Sequence, residues 1–176
     1  AYAVRLAAAL GYVLLRQRDA TGLIAFDDEV RAVLPPKARS GQWHLLAAML
    51  QNLEAGGGTA AELALRRVTD LLRRRGMVFF VSDLLVERDL VLTALRYLRH
   101  RGHAVTVLHV MDPAEVDLEP GREARFVDPE TGDGVVAAPR DLRRDYRATV
   151  ERVVRAWRRA CRSSGIGYHH VTTVTP

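Results

Sequence analysis

The chain has 176 residues, 48% of them hydrophobic, a net charge of +5 and a single cysteine, Cys161. This length suits one domain able to bury roughly 70% of its unfolded surface; one cysteine excludes an internal disulfide framework, and no run of about 18 apolar residues offers a membrane span. Only Lys37 among the 26 basic residues is a lysine, and 21 acids are interspersed, so the charge reads as a general arginine preference and, without a recognition motif, speaks against a nucleic-acid partner.

Tyr2 to Gln17 has apolar residues on every side, and such a helix is expected to be buried. No capping residue or initiator Met precedes it, so the chain reads as N-terminally incomplete. GLIAF (22–26) and VRAVL (30–34), separated by Asp27-Asp28-Glu29, read as a hairpin whose second strand ends at Pro35-Pro36. Gly41 to Leu53 carries Trp43, Leu46, Met49, Leu50 and Leu53 at helical spacing, before Gly56-Gly57-Gly58. The next helix is predicted from Thr59 to Arg75, opened by the capping box Thr59-Ala60-Ala61-Glu62 and closed by Gly76.

MVFFVSDLL (77–85) is an unalternating apolar run that ends in a hydroxyl and a carboxylate. The pattern suits a strand buried on both faces of a parallel sheet, leaving Asp83 at the edge where ligands bind in open α/β sheets. A helix over Glu87 to Arg101, stopped by Gly102, leads to AVTVLHVM (104–111), a second buried strand ending at Asp112-Pro113. Strand, helix and strand make a parallel βαβ unit. Residues 124–138 read as a small hairpin insertion, Asp141 to Arg162 as a basic amphipathic helix, and Tyr168 to Val174 as a last strand.

Thr59 and Asp83 are the leading candidates for chemistry, since a hydroxyl and a carboxylate are hard oxygen donors suited to Mg²⁺. Capping explains both equally well: Thr59 is an N-cap, and Ser82-Asp83 could cap the helix that follows. Asp112, Glu115 and Asp117 form a second acidic loop that with Asp83 could make a metal-dependent hydrolytic or phosphotransfer centre, although Asp-Pro is ordinary turn chemistry. The six histidines lack zinc spacing, the glycines at 56–58 lack the Gly-Lys-Ser/Thr of a P-loop, and Cys161 reads as an inert thiol. An arginine-rich surface on Arg143, Arg147, Arg155 and Arg158 is a third possibility, binding an anion or nucleic acid.

The series GLIAFDDEVRAVLPP, GGGT, FFVSDLL, RGHAVTVLHVMDPAEVDL, FVDPETG and GIGYHHVTT resembles the C-terminal portion of the bacterial family called domain of unknown function fifty-eight, over about Ala1 to Thr173. The resemblance implies one von Willebrand factor A-like domain over 1–176, α/β, with a doubly wound, mostly parallel, Rossmann-type sheet and helices on both faces. It also implies a metal-ion-dependent adhesion site in which Thr59 and Asp83 are ligands, with Ser82 and Asp112 behind them. The family's Asp-x-Ser-x-Ser motif, on a first central strand between those matching GLIAF and MVFFV, does not occur in this sequence. The site is therefore expected to be partial, holding Mg²⁺ or Mn²⁺ in the full-length protein and none in this chain. The resemblance further implies a non-enzymatic, cytoplasmic bacterial adaptor working with a MoxR-type AAA+ ATPase and a client protein.

Overall fold

The computed structural model of the protein describes residues 2–53, 61–116, 124–127, 134–137 and 139–174. The chain begins with helix α1 (Tyr2–Arg16), the strands β1 (Thr21–Phe26) and β2 (Val30–Lys37), and helix α2 (Gln42–Gln51). Helix α3 (Ala61–Leu71), strand β3 (Met77–Ser82), helix α4 (Arg88–His100) and strand β4 (Ala104–Met111) follow. A short helix α5 (Pro113–Val116), the hairpin strands β5 (Ala124–Val127) and β6 (Gly134–Ala137), the long helix α6 (Pro139–Ser163) and strand β7 (Gly167–Thr172) complete it. The protein is therefore mixed α/β, built on a three-stranded parallel sheet in the order β3-β4-β7.

Apolar spacing on α4 and α6 explains how that sheet is covered. Val91, Leu92, Leu95 and Leu98 recur at helical intervals on α4, and Trp157 and Cys161 lie four apart on α6; all are buried with Val105 and Val107 of β4 in one core. Both helices end in the same way. Gly102, at φ +88°, places His103 N–H on Leu98 O at 3.1 Å, and Gly165, at φ +65°, places Ile166 N–H on Cys161 O at 2.9 Å. Each is a left-handed cap that satisfies the last carbonyls and drives a buried residue into the following strand. The two connections deliver β4 and β7 in parallel register, with Val107 opposite Tyr168 and His109 opposite His170.

The N-terminal elements form a separate layer. β1 and β2 pair antiparallel with each other, and Arg31 at the turn ion-pairs with Asp27 and Asp28 at 2.8 Å and with Glu29. The guanidinium, together with the Glu29 amide, holds the Asp27 carboxyl far below its ordinary range. Gln42, fully buried, donates from Nε2 to Thr21 O and Pro35 O, both at 2.9 Å, and so ties α2 to both strands. Phe26 meets Phe80 with ring centroids 6.1 Å apart, so this layer abuts the parallel sheet through side chains.

Four sequence expectations change. Strand β2 continues through Pro35 and Pro36 to Lys37, because β1 is its only described neighbour and prolines are tolerated on such an edge. Helix α1 is not buried all round: Gly11 is its one buried residue, and Tyr12 and Val13 are 45% and 52% exposed. Helix α3 stops at Leu71, leaving Arg73 to Arg75 beyond it. Strand β3 is the outer strand of the described parallel sheet and only half-buried, where the apolar run suggests a strand enclosed on both faces. Thr59 and its capping box, Gly56 to Gly58, Asp117 and the turn of the 124–138 hairpin lie outside the described residues.

Candidate functional site

All three parallel strands end on one side, and their C-terminal ends collect most of the polar chemistry. β3 delivers Ser82 and then exposed Asp83, β4 delivers Asp112, and β7 delivers Thr173. The loop after β3 is held tightly. Leu84 N–H donates to Ser82 Oγ at 3.0 Å and Leu85 N–H to Asp83 Oδ1 at 3.2 Å. Leu84, between them, is buried at a φ of +58°, a region that branched side chains rarely enter and that the surrounding structure must hold. Neither Ser82 nor Asp83 caps α4, which begins five residues later behind Glu87 with no side-chain cap. The capping explanation therefore does not account for Asp83, whose Oδ2 has no described partner.

Asp112 is differently placed. Its Oδ1 accepts from Ala114 N–H at 3.0 Å and its Oδ2 from Thr173 Oγ1 at 2.7 Å. Those donors, the Ala114 amide first, hold its carboxyl below the ordinary carboxylate value. Asp112 thus joins the ends of β4 and β7, and the first turn of α5, with both oxygens engaged.

Beneath the edge lies a buried polar group that the sequence did not single out. His109, 2% exposed, donates from Nε2 to the carbonyl of Asp83 at 2.9 Å. A carbonyl can only accept, so Nε2 carries the proton, and Nδ1 accepts from the Tyr168 hydroxyl at 2.7 Å. The His170 ring stands 5.6 Å from His109, with its Nε2 buried and without a hydrogen bond. Burial, reinforced by the Arg158 guanidinium, keeps His170 below its ordinary pKa. Burial also pushes the Tyr168 hydroxyl up to about 12, so it stays protonated and continues to donate. Strand register, which the sequence does not give, assembles the group: His109, Tyr168 and His170 fall on one face of adjacent parallel strands.

The described donors do not by themselves make a metal centre. Among the described residues no three His, Cys, Asp or Glu side chains come together in a way that could hold a metal ion, and hard cations such as Mg²⁺ require several oxygen ligands. Asp83 suits one such ligand, being exposed with an oxygen to spare; Asp112 and Ser82 are engaged in shaping the loops. Burial pushes the Cys161 thiol up to about 11, away from nucleophilic use. On α6, Arg147 and Arg155 are each shared with Glu151, at 3.8 and 3.1 Å, which dilutes the basic character expected of that surface.

No curated protein matches the chain. Two solved structures resemble it at 18% sequence identity, each over 96% of this chain and 80% of its own. One is the conserved hypothetical protein BatB from Bacteroides thetaiotaomicron, with a TM-score of 0.54. The other is an aerotolerance-related membrane protein from Bacteroides fragilis NCTC 9343 carrying multiple mutations to serine, with a TM-score of 0.57. These likenesses concern the fold alone, an α/β sheet flanked by helices. The family described as protein of unknown function DUF58 matches residues 1–156, and the chain belongs to that family.

Proposed function

We propose that the chain is a non-enzymatic protein-interaction module of von Willebrand factor A type, whose C-terminal sheet edge recognises a partner through a divalent cation. The observation that carries the reading is the contrast between the two carboxylates at that edge: Asp112 is committed on both oxygens, while Asp83 is exposed and keeps Oδ2 free of described partners. An adhesion-type site needs one carboxylate held in place by its backbone and open to the cation. His109, hydrogen-bonded to the carbonyl of Asp83 itself, supplies the holding. In this reading Thr59 joins Asp83 as ligand, Mg²⁺ or Mn²⁺ is the cation, and the full-length protein supplies the remaining oxygens. The partner is a MoxR-type AAA+ ATPase acting on a client in the bacterial cytoplasm.

Calorimetric titration of Mn²⁺ into the full-length protein tests this. We expect saturable binding that Asp83→Ala weakens at least about tenfold, and coprecipitation of the ATPase that falls in parallel. Titration of this chain alone should give little heat, because a carboxylate and a hydroxyl seldom hold such a cation against water. Equal affinity of the wild type and Asp83→Ala would sink the reading.

A further inference from the structure

We propose that the opposite, N-terminal edge of the parallel sheet is a docking surface for an anionic lipid bilayer. The segments 69–77 and 97–104, which end α3 and α4 and begin β3 and β4, contain five arginines (Arg73, Arg74, Arg75, Arg99 and Arg101) and one acid, Asp70. The structure brings the two segments together. Arg101 Nη1 donates to Thr69 O at 3.2 Å, and Ala104 N–H donates to Gly76 O at 3.0 Å. Arg75 lies over Gly102, so closely that a Cβ added there would stand 2.9 Å from its Nε. No ion pair joins Arg73, Arg74, Arg75 or Arg101 to a described carboxylate, so this charge is not spent internally.

The same patch carries apolar side chains in water: Met77 is 63% exposed and Tyr97 46%, while Leu71 faces a neighbouring hollow that Asp28, Glu29 and Arg67 also line. Arginines beside exposed Met and Tyr match the headgroup boundary of a bilayer, where the cations meet phosphates and the apolar groups reach the first acyl carbons. A nucleic acid fits less well. Single-stranded bases would need an open aromatic face, and the Arg101 guanidinium already stands over one face of the Tyr97 ring, 5.7 Å from its centroid. It would also leave Met77 without a role.

Cosedimentation of the chain with vesicles tests the proposal. We expect binding to phosphatidylcholine vesicles containing about 30% phosphatidylglycerol, none to pure phosphatidylcholine, and a steep decline with salt. Arg73→Gln with Arg74→Gln should weaken binding about 25-fold, at about fivefold per arginine near the surface. Met77→Ser, which leaves the charge unchanged, should weaken it severalfold. Arg155→Gln with Arg159→Gln, on exposed α6, should leave it within about twofold. Binding to neutral vesicles as strong as to anionic ones, no binding to either, or a short single-stranded oligonucleotide bound more tightly than the vesicles and lost in the Arg73/Arg74 variant would each overturn it.

Discussion

Strands β3 and β4 have much the same apolar composition, MVFFVS beside AVTVLHVM, and run side by side in parallel register. Their surroundings differ sharply. On β4, Val105, Val107, Leu108, His109 and Val110 are all buried, while β3 has no fully buried residue and begins at Met77, 63% exposed. β4 lies between two strands and beneath α4 and α6; β3 has one described strand neighbour. The difference teaches that an apolar run identifies a strand, and that its neighbours determine its burial.

Trimming matched valines is the strongest way to break this comparison. Val107 is 0% exposed, so Val107→Ala removes two methyl-sized groups from a packed site and should cost about 2–3 kcal/mol. Val78, half-buried on the same face of β3, should cost about 1 kcal/mol on the same change. Urea denaturation of both variants measures the gap. Equal losses would mean that β3 is as enclosed as β4.

The polar part of β4 gives the next effect. His109→Leu keeps most of the volume but removes the partner of Asp83 O and of the Tyr168 hydroxyl. Two part-buried groups left without a hydrogen bond should cost about 1–2 kcal/mol. A His109→Leu variant as stable as the wild type would show that the pair contributes nothing net.

How much of this was legible in the sequence follows the same division. The βαβ unit, the stop at Gly102, and the strand ends at Asp83 and Asp112 were readable, because chain direction, apolar spacing and left-handed glycine are local properties. The ladder of β1 with β2 alone, the half-buried state of β3 and the early end of α3 were not, since each depends on what packs beside the segment. The polar group of His109, Tyr168 and His170 was hidden for a related reason: the residues lie 59 and 2 positions apart, and only β4–β7 register brings them together. At the sheet edge, the sequence made Asp83 a ligand candidate with Asp112 behind it, and hydrogen bonding shows that Asp112 is engaged on both oxygens while Asp83 is not.

Acid should unfold the protein in two windows. The unfolded chain protonates His170 near its ordinary value of 6.5, whereas the fold holds it lower. The stability linked to it is therefore complete above pH 6.5 and declines as pH falls from there toward the folded value. Asp112 acts next: its ionised form is held by the Ala114 amide and the Thr173 hydroxyl, so its contribution is present above 3.8 and is lost below. Thermal midpoints measured across pH should decline in both windows. His170→Gln should abolish the upper decline and leave the lower one; an unchanged upper decline would place that titration elsewhere.

The smallest effect tests the distinction on which the proposed site rests. Asp83 makes one described hydrogen bond, to the Leu85 amide at 3.2 Å, from an exposed position, so Asp83→Ala should change stability by no more than about 0.5 kcal/mol. Asp112→Ala removes the acceptor for both Ala114 N–H and Thr173 Oγ1 and should lower the urea midpoint by more than Asp83→Ala does. Should the order be reversed, Asp83 would be the structural carboxylate, and its availability to a cation would have no support. A carboxylate that can be removed without loss of stability, at the end of a strand whose backbone is fixed by a buried histidine, is one whose placement folding does not explain.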